Sequence, residues 1–186
     1  MFLPRSRRRM LGFTLVEILT VTSIISGLQS QSGGNYRYGI SKANEVVGLN
    51  NLKQIHLLLQ TQMITEGYPK AAFYPKGDPM TDPQSIVKLV QGGVPQLFVS
   101  PFAPEPLRKT GLTYAWNDTV NGKQPDSVPG NTWLMIDLPA FIADPKIERP
   151  SKYLVLYASG KADALTTLPA DIQKAVAEAQ AKLDKK

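Results

Sequence analysis

Residues Met10 to Leu28 read MLGFTLVEILTVTSIISGL, an apolar run with one acid in it. Everything before Phe13 is short, basic and free of acids, with Arg5, Arg7, Arg8 and Arg9 ahead of the apolar run. Basic residues before an apolar segment orient it in a membrane with its N-terminal side in the cytoplasm. An ordinary secretory signal places a small-residue cleavage site after its apolar region, and Ser26-Gly27-Leu28-Gln29 does not supply one. The run is also short, because a spanning helix needs about 20 apolar residues. Within it stands Glu17, a carboxylate whose burial in apolar surroundings costs several kcal/mol unless it is paired. No Lys or Arg lies between Phe13 and Tyr36. Cleavage after Gly12 supplies the partner, because the new α-amino group on Phe13 sits one helical turn from Glu17. A neighbouring subunit in a helical bundle supplies an equivalent one.

The residues Met10-Leu11-Gly12-Phe13-Thr14-Leu15-Val16-Glu17 resemble the type III signal of type IV pilins and type II secretion pseudopilins. The resemblance implies that Gly12 precedes the cut, that Phe13 is the N-methylated new terminus, and that Glu17 is the assembly acid. It implies a prepilin peptidase, other pilin subunits in a helical filament, and a membrane assembly platform with its ATPase as partners. The subunit is then expected in the cytoplasmic (inner) membrane as a single-pass protein, its head periplasmic or extracellular before it enters a pilus or pseudopilus. No cofactor is implied.

Further along, the chain departs from the family pattern. Thr20, Thr22, Ser23 and Ser26 interrupt the apolar helix, and Gln29 to Asn35 is polar with a Gly33-Gly34 pair that disfavours helix. Either the helix is melted or kinked there, or the segment is a flexible joint. A second helical stretch is expected from Ile40 to Glu66, with Leu52, Ile55, Leu59 and Met63 at helical spacing. Its Asn50-Asn51-Leu52-Lys53-Gln54-Ile55 resembles a stretch of many pseudopilin-like proteins. The reading divides the chain into a leader (1–12), an assembly helix with its joint (13–39), and a globular head with its docking helix (40–186).

In the head, Leu112–Asn117, Thr132–Leu138, Lys152–Ala158 and Lys161–Thr166 read as strands, the third central and buried, with Ser159-Gly160 as the hairpin turn before the fourth. Leu97-Phe98-Val99 is a candidate short buried strand, and Pro83–Gln91 a short helix capped at Asp82-Pro83. Trp116 and Trp133 sit inside strand patterns as core aromatics. Pro169–Lys186 is a helix candidate with Ile172, Val176, Ala179 and Leu183 on one stripe. The stretch Tyr153–Lys161 resembles the final hairpin of a pilin-like subgroup marked by a histidine, nine residues and Asp-Gly; here Arg149 and Ser159-Gly160 replace those marks. The expected fold class is α+β and pilin-like. A long N-terminal helix, intact or broken near Gly33-Gly34, packs on a small antiparallel sheet, with a C-terminal helix.

Composition narrows the function. The chain has no cysteine and a single histidine, His56, which removes thiolate metal sites and most nucleophile–base pairs. His56 is read as a partly exposed helix position. No phosphate loop, zinc-protease helix or serine elbow occurs, so an enzyme is not expected. Asp118, Asp126, Asp137 and Asp144 lie in or beside turns and are candidate calcium ligands, but without the ordered spacing of a calcium loop. Solvated turn acids are the preferred reading, with no metal site. Asn117-Asp118-Thr119 matches a glycosylation triplet. Of the net charge of +6, four charges are the leader arginines, leaving +2. That speaks against the alternative of a minor pilin binding DNA through Lys70, Lys76, Arg108, Lys109, Lys123, Lys146, Arg149 and Lys152. A membrane-anchored domain of another role is the remaining alternative.

Overall fold

The computed structural model describes residues 15–90, 92–142 and 150–183, and, within these, side chains only of residues 38–178. The chain divides into two compact units, Met1–Lys42 and Ala43–Lys186. The second unit, the head, is the one with described side chains throughout its core.

Four strands form one antiparallel sheet: β1 (Tyr114–Trp116), β2 (Trp133–Asp137), β3 (Tyr153–Tyr157) and β4 (Ala162–Leu165), ordered as in sequence. The head is thus mixed α and β with an antiparallel sheet. β1 and β2 fall inside stretches rich in aromatic and β-branched residues, β3 inside the continuous apolar run, and β4 after the Ser159-Gly160 turn, within the stretches expected of them. β3 is interior, as its unbroken apolar run requires. The β3–β4 connection is a three-residue loop, Ala158-Ser159-Gly160, closed by Gly160 N–H to Tyr157 O (2.9 Å) and Tyr157 N–H to Lys161 O (2.9 Å). Gly160 takes φ +81, the left-handed residue such hairpins need.

The pleat sends alternate residues to opposite faces. Tyr114, Trp116, Leu154 and Leu156 join a core with Leu52, Ile55, Leu59 and Met63 of helix α1 (Leu15–Glu66). Ala115, Ile136 and Val155 join a second core with Phe141 and with Ile172 of helix α4 (Ala170–Leu183). An irregularity in the β2–β3 register between Trp133 and Met135 breaks the alternation. It places both Leu134 and Met135 on the α1 side; all five β2 residues are buried because cores cover both faces of the sheet. Fully burying Leu52, Ile55 and Leu59 contributes about 1.5–3 kcal/mol each. α1 ends at Gly67, whose φ of +71 lets its N–H reach Met63 O at 3.2 Å. A Cβ there would stand 2.8 Å from Lys123 O.

Two local expectations are corrected. Leu97-Phe98-Val99 is not a strand: Pro95–Phe98 is a turn of 3-10 helix with proline in its first position, because the fixed φ of Pro95 suits a helical start. The short helix α2 covers only Ile86–Leu89, and its cap is Ser85, whose Oγ accepts from Val87 N–H at 3.3 Å. Asp82 is committed to the loop instead, accepting from Gln84 N–H (2.8 Å) and Gly77 N–H (3.1 Å). Another single turn, α3 (Glu105–Arg108), precedes β1. Among the described residues, no helix is long and apolar enough to cross a membrane.

Candidate functional site: the helix-docking seam

The sequence-predicted processing residues Gly12 and Phe13 lie outside the described residues, and so does the side chain of Glu17. What the head presents is the seam along which α1 lies on the sheet. Three contacts mark its course. Glu45 Oε2 accepts from Lys152 Nζ at 2.6 Å, just before β3. Gly48 is buried against Leu154 and Pro101; a Cβ there would collide with Leu154 Cδ1 and stand 3.2 Å from Pro101 Cδ. The His56 ring lies beneath Gly160, where a Cβ would be 2.7 Å from His56 Nε2. From Glu45 to His56 the helix rises about 16 Å, and from Lys152 to Tyr157 the strand rises about 17 Å. The two elements therefore run side by side in the same direction, and glycines at 48 and 160 leave room for the Leu154, Pro101 and His56 side chains.

His56 is only 6% exposed, which corrects the partly exposed position expected of it. It lies beside the Leu stripe, and the hairpin loop covers the face that the helix alone leaves open. Burial lowers its pKa, and its Nδ1 has no hydrogen-bond partner. The ring is consequently a neutral packing element.

Beneath Gly48 lies a polar cluster that the sequence reading placed elsewhere. Asp137 is 1% exposed. Where the main chain leaves the ladder after the Ile136–Val155 pair, Asp137 Oδ2 takes the Leu154 N–H at 2.6 Å. Across the sheet it pairs with Tyr114, also fully buried. The Ser100 hydroxyl faces both groups and favours their charged forms, but burial dominates: the Asp137 pKa rises to about 7 and that of Tyr114 well above its usual value. Neither Asp137 Oδ1 nor the Tyr114 hydroxyl has a well-formed hydrogen bond. Ser100 is itself fixed, its N–H donating to Thr113 Oγ1 (2.6 Å) and its Oγ accepting from Phe102 N–H (3.3 Å). Beside the cluster, a groove of about 450 Å3 runs between α1 and residues 96–101, lined by Val47, Asn51, Leu97, Ser100, Pro101 and Arg108.

Of the aspartates considered for calcium, Asp137 is in the core while Asp118 and Asp126 are exposed, and Asp144 lies outside the described residues. Among the described residues, no three His, Cys, Asp or Glu stand together to hold a metal. The glycosylation triplet is also occupied. Asn117 is buried, its Nδ2 donates to Trp133 O (2.8 Å), and its Oδ1 caps the following turn through Thr119 N–H (3.2 Å). Two of the eight cations named for nucleic acid, Lys109 and Lys152, are held in ion pairs with Glu105 and Glu45, and Lys146 and Arg149 lie outside the described residues. Sequence reasoning missed Gly48 and the Glu45–Lys152 pair. Only the i, i+3, i+7 relation of Glu45 and Gly48 to Leu52 signalled that they share the docking side of the helix. Comparison of the chain with protein-family models, with curated proteins and with solved structures finds no match.

Proposed function

We propose that the chain is a structural subunit of a type IV pilus or a type II secretion-like pseudopilus, cut after Gly12 and assembled through its N-terminal helix. The observation that carries the reading is the run Gly12-Phe13-Thr14-Leu15-Val16-Glu17 behind a basic, acid-free leader. Its intramembrane acid is explained by the amino terminus that cleavage creates. The head supports it: one helix lies lengthwise on a four-stranded antiparallel sheet, with its apolar stripe inward. In this reading the N-terminal helical segment carries the assembly contacts, and the helix residues that pack on the sheet belong to the head. Apolar burial along Phe13–Leu28 and pairing of Glu17 with a neighbour's Phe13 amino group hold the subunits together, and the Phe13 nitrogen carries the methyl group. The prepilin peptidase, the assembly platform and its ATPase are the partners this role requires. The role is architectural, with no reaction assigned to the head.

The test is the N-terminal mass of the protein recovered from cells with and without a prepilin peptidase. A methylated Phe13 terminus that depends on the peptidase is expected. An intact Met1 in both strains refutes the proposal. Glu17→Ala should leave cleavage intact and abolish or slow filament formation, and normal filaments from that variant would remove the role given to Glu17.

A further inference from the structure

The buried polar cluster beneath Gly48 is placed where a core needs none. Alternation puts Tyr114, Asp137 and Leu154 on the α1 face of the sheet, and Ser100 joins them from the loop that ends in Pro101. Asp137 holds the backbone of Leu154, the residue whose Cδ1 fills the space beside Gly48. Ser100 immediately precedes Pro101, the other wall of that space. Both surfaces that receive the entry end of the docked helix are therefore fixed by groups touching one carboxyl. Apolar residues of similar volume would pack this position at no polar cost.

The hydrogen-bonding state of the cluster is incomplete in an informative way. A carboxylate only accepts hydrogen bonds, whereas a protonated carboxyl also donates. Within the cluster, Asp137 Oδ1 and the Tyr114 hydroxyl are buried oxygens without a well-formed hydrogen bond. A proton on Oδ1 gives the carboxyl a donor toward the hydroxyls of Ser100 and Tyr114, while Oδ2 keeps the Leu154 N–H. No cation relieves the charged form among the described residues. The neighbouring Lys152 is engaged by Glu45, Tyr114 is the titratable group facing from β1, β3 contributes the Leu154 N–H, and the loop contributes the neutral Ser100. α1 brings Gly48 against Leu154 and Pro101, and its uncharged Val47 and Asn51 line the groove beside Ser100, together with Arg108.

We propose that Asp137, Tyr114 and Ser100 form a proton-operated latch that fixes the entry end of the docked helix, around Gly48, to β3 and to the Ser100–Pro101 loop. With the proton in place the cluster is neutral and the seam is closed; without it a buried, half-partnered charge is relieved when Leu154 and Pro101 move apart and admit water. The direction follows from linkage. Burial raises the carboxyl pKa to about 7 in the closed head from 3.8 in the open form, so closure binds a proton between those values. Closure therefore weakens as pH rises through that window and is weakest, and flat, above it. The inference is independent of the assembly reading, since it concerns only the head's own packing.

Hydrogen exchange of the full-length chain tests it, with rates corrected for intrinsic chemistry and followed in peptides covering residues 46–52 and 153–157. Protection in these peptides should fall about tenfold per pH unit between roughly pH 5 and 7, then level off. In Asp137→Asn, which keeps an acceptor for Leu154 and a donor for Ser100, protection should stay constant within about twofold and exceed the wild type at about pH 8. Wild-type protection that does not change with pH, or the same decline in Asp137→Asn, overturns the latch. So does protection in these peptides no lower than that of residues 59–63 at the far end of the docked helix at every pH, because exchange then reports unfolding of the whole head. If Asp137→Asn does not fold, the carboxyl carbon resonance of Asp137 in the wild type decides instead. A titration midpoint above about 5.5 supports the latch, and one at or below it, near the unperturbed carboxylate range, overturns it.

Discussion

Replacing Gly48 by alanine sets two well-measured effects against each other. Alanine is the better helix former in a helix interior by about 1 kcal/mol, so on local grounds Gly48→Ala should stabilise the head. The seam argues the reverse. The new Cβ would collide with Leu154 Cδ1 and meet Pro101 Cδ at 3.2 Å. Leu154 is itself 0% exposed, so its methyl has no open space to turn into. Overpacking of this kind costs about 1–3 kcal/mol, which outweighs the propensity gain and leaves the variant less stable by about 1 kcal/mol. Leu154→Ala alone should cost about 2–5 kcal/mol through lost burial and a cavity. In the double variant the alanine at 48 fills part of that cavity, the clash is gone, and only the propensity gain remains. The cycle should therefore show a favourable coupling of about 2 kcal/mol. Trp116 and Trp133, both buried in the head, report unfolding by fluorescence in a urea titration. Stabilisation by Gly48→Ala, or additivity of the two substitutions within about 0.5 kcal/mol, would refute the close approach of α1 to β3.

Other consequences concern the same seam. Gly160→Ala forces a side chain into φ +81 and against the His56 ring, so urea unfolding should show a loss of about 2 kcal/mol or more. Removing either member of the half-buried Glu45–Lys152 pair should weaken the head, with a coupling of about 1 kcal/mol in a double-mutant cycle with alanine at both positions. Because the pKa of His56 is lowered from 6.5 in the folded head, the unfolded chain binds the extra proton. Stability should therefore fall as pH drops below about 6.5, a limb that His56→Gln removes in thermal melts. Asp137 acts with the opposite sign. Its raised pKa makes stability fall as pH rises from 3.8 to about 7, by on the order of 4 kcal/mol at most. Melts of His56→Gln should expose that decline alone, and no decline there would remove the burial assigned to Asp137.

The parts of the fold that were legible in the sequence are those dictated by periodicity. The 52, 55, 59, 63 spacing named the docking face of α1, the aromatic and β-branched runs named β1 and β2, the apolar run named β3, and the Ser159-Gly160 turn named β4. Ile172 was legible as an anchor of α4 for the same reason. What escaped is decided by contacts between distant segments. A histidine next to a Leu stripe looks half-exposed until a hairpin loop 104 residues later covers it. Asp137 looks like a turn acid because it stands where a strand ends. It is buried because its pairing opposite Tyr114 turns it to the α1 face, where it takes the Leu154 N–H beside Ser100. Asn117 matched a modification triplet by spelling alone, while its amide is spent on Trp133 O.

The seam also explains why small residues fall where they do. Gly48 leaves room for the Leu154 and Pro101 side chains, and Gly160 in the hairpin loop leaves room for the His56 ring of the helix. Between them the apolar stripe supplies the attraction, which is non-directional and would tolerate sliding. The directional contacts stand at the ends: the Glu45–Lys152 ion pair at entry and the His56–Gly160 contact near the hairpin. Sliding by one helical turn, about 5.4 Å, would keep leucine-type residues facing the sheet but would separate the ion pair and drive a side chain into Leu154 or into the hairpin loop. Register along the seam is thus set by two glycines and one ion pair, while its strength comes from Leu52, Ile55 and Leu59.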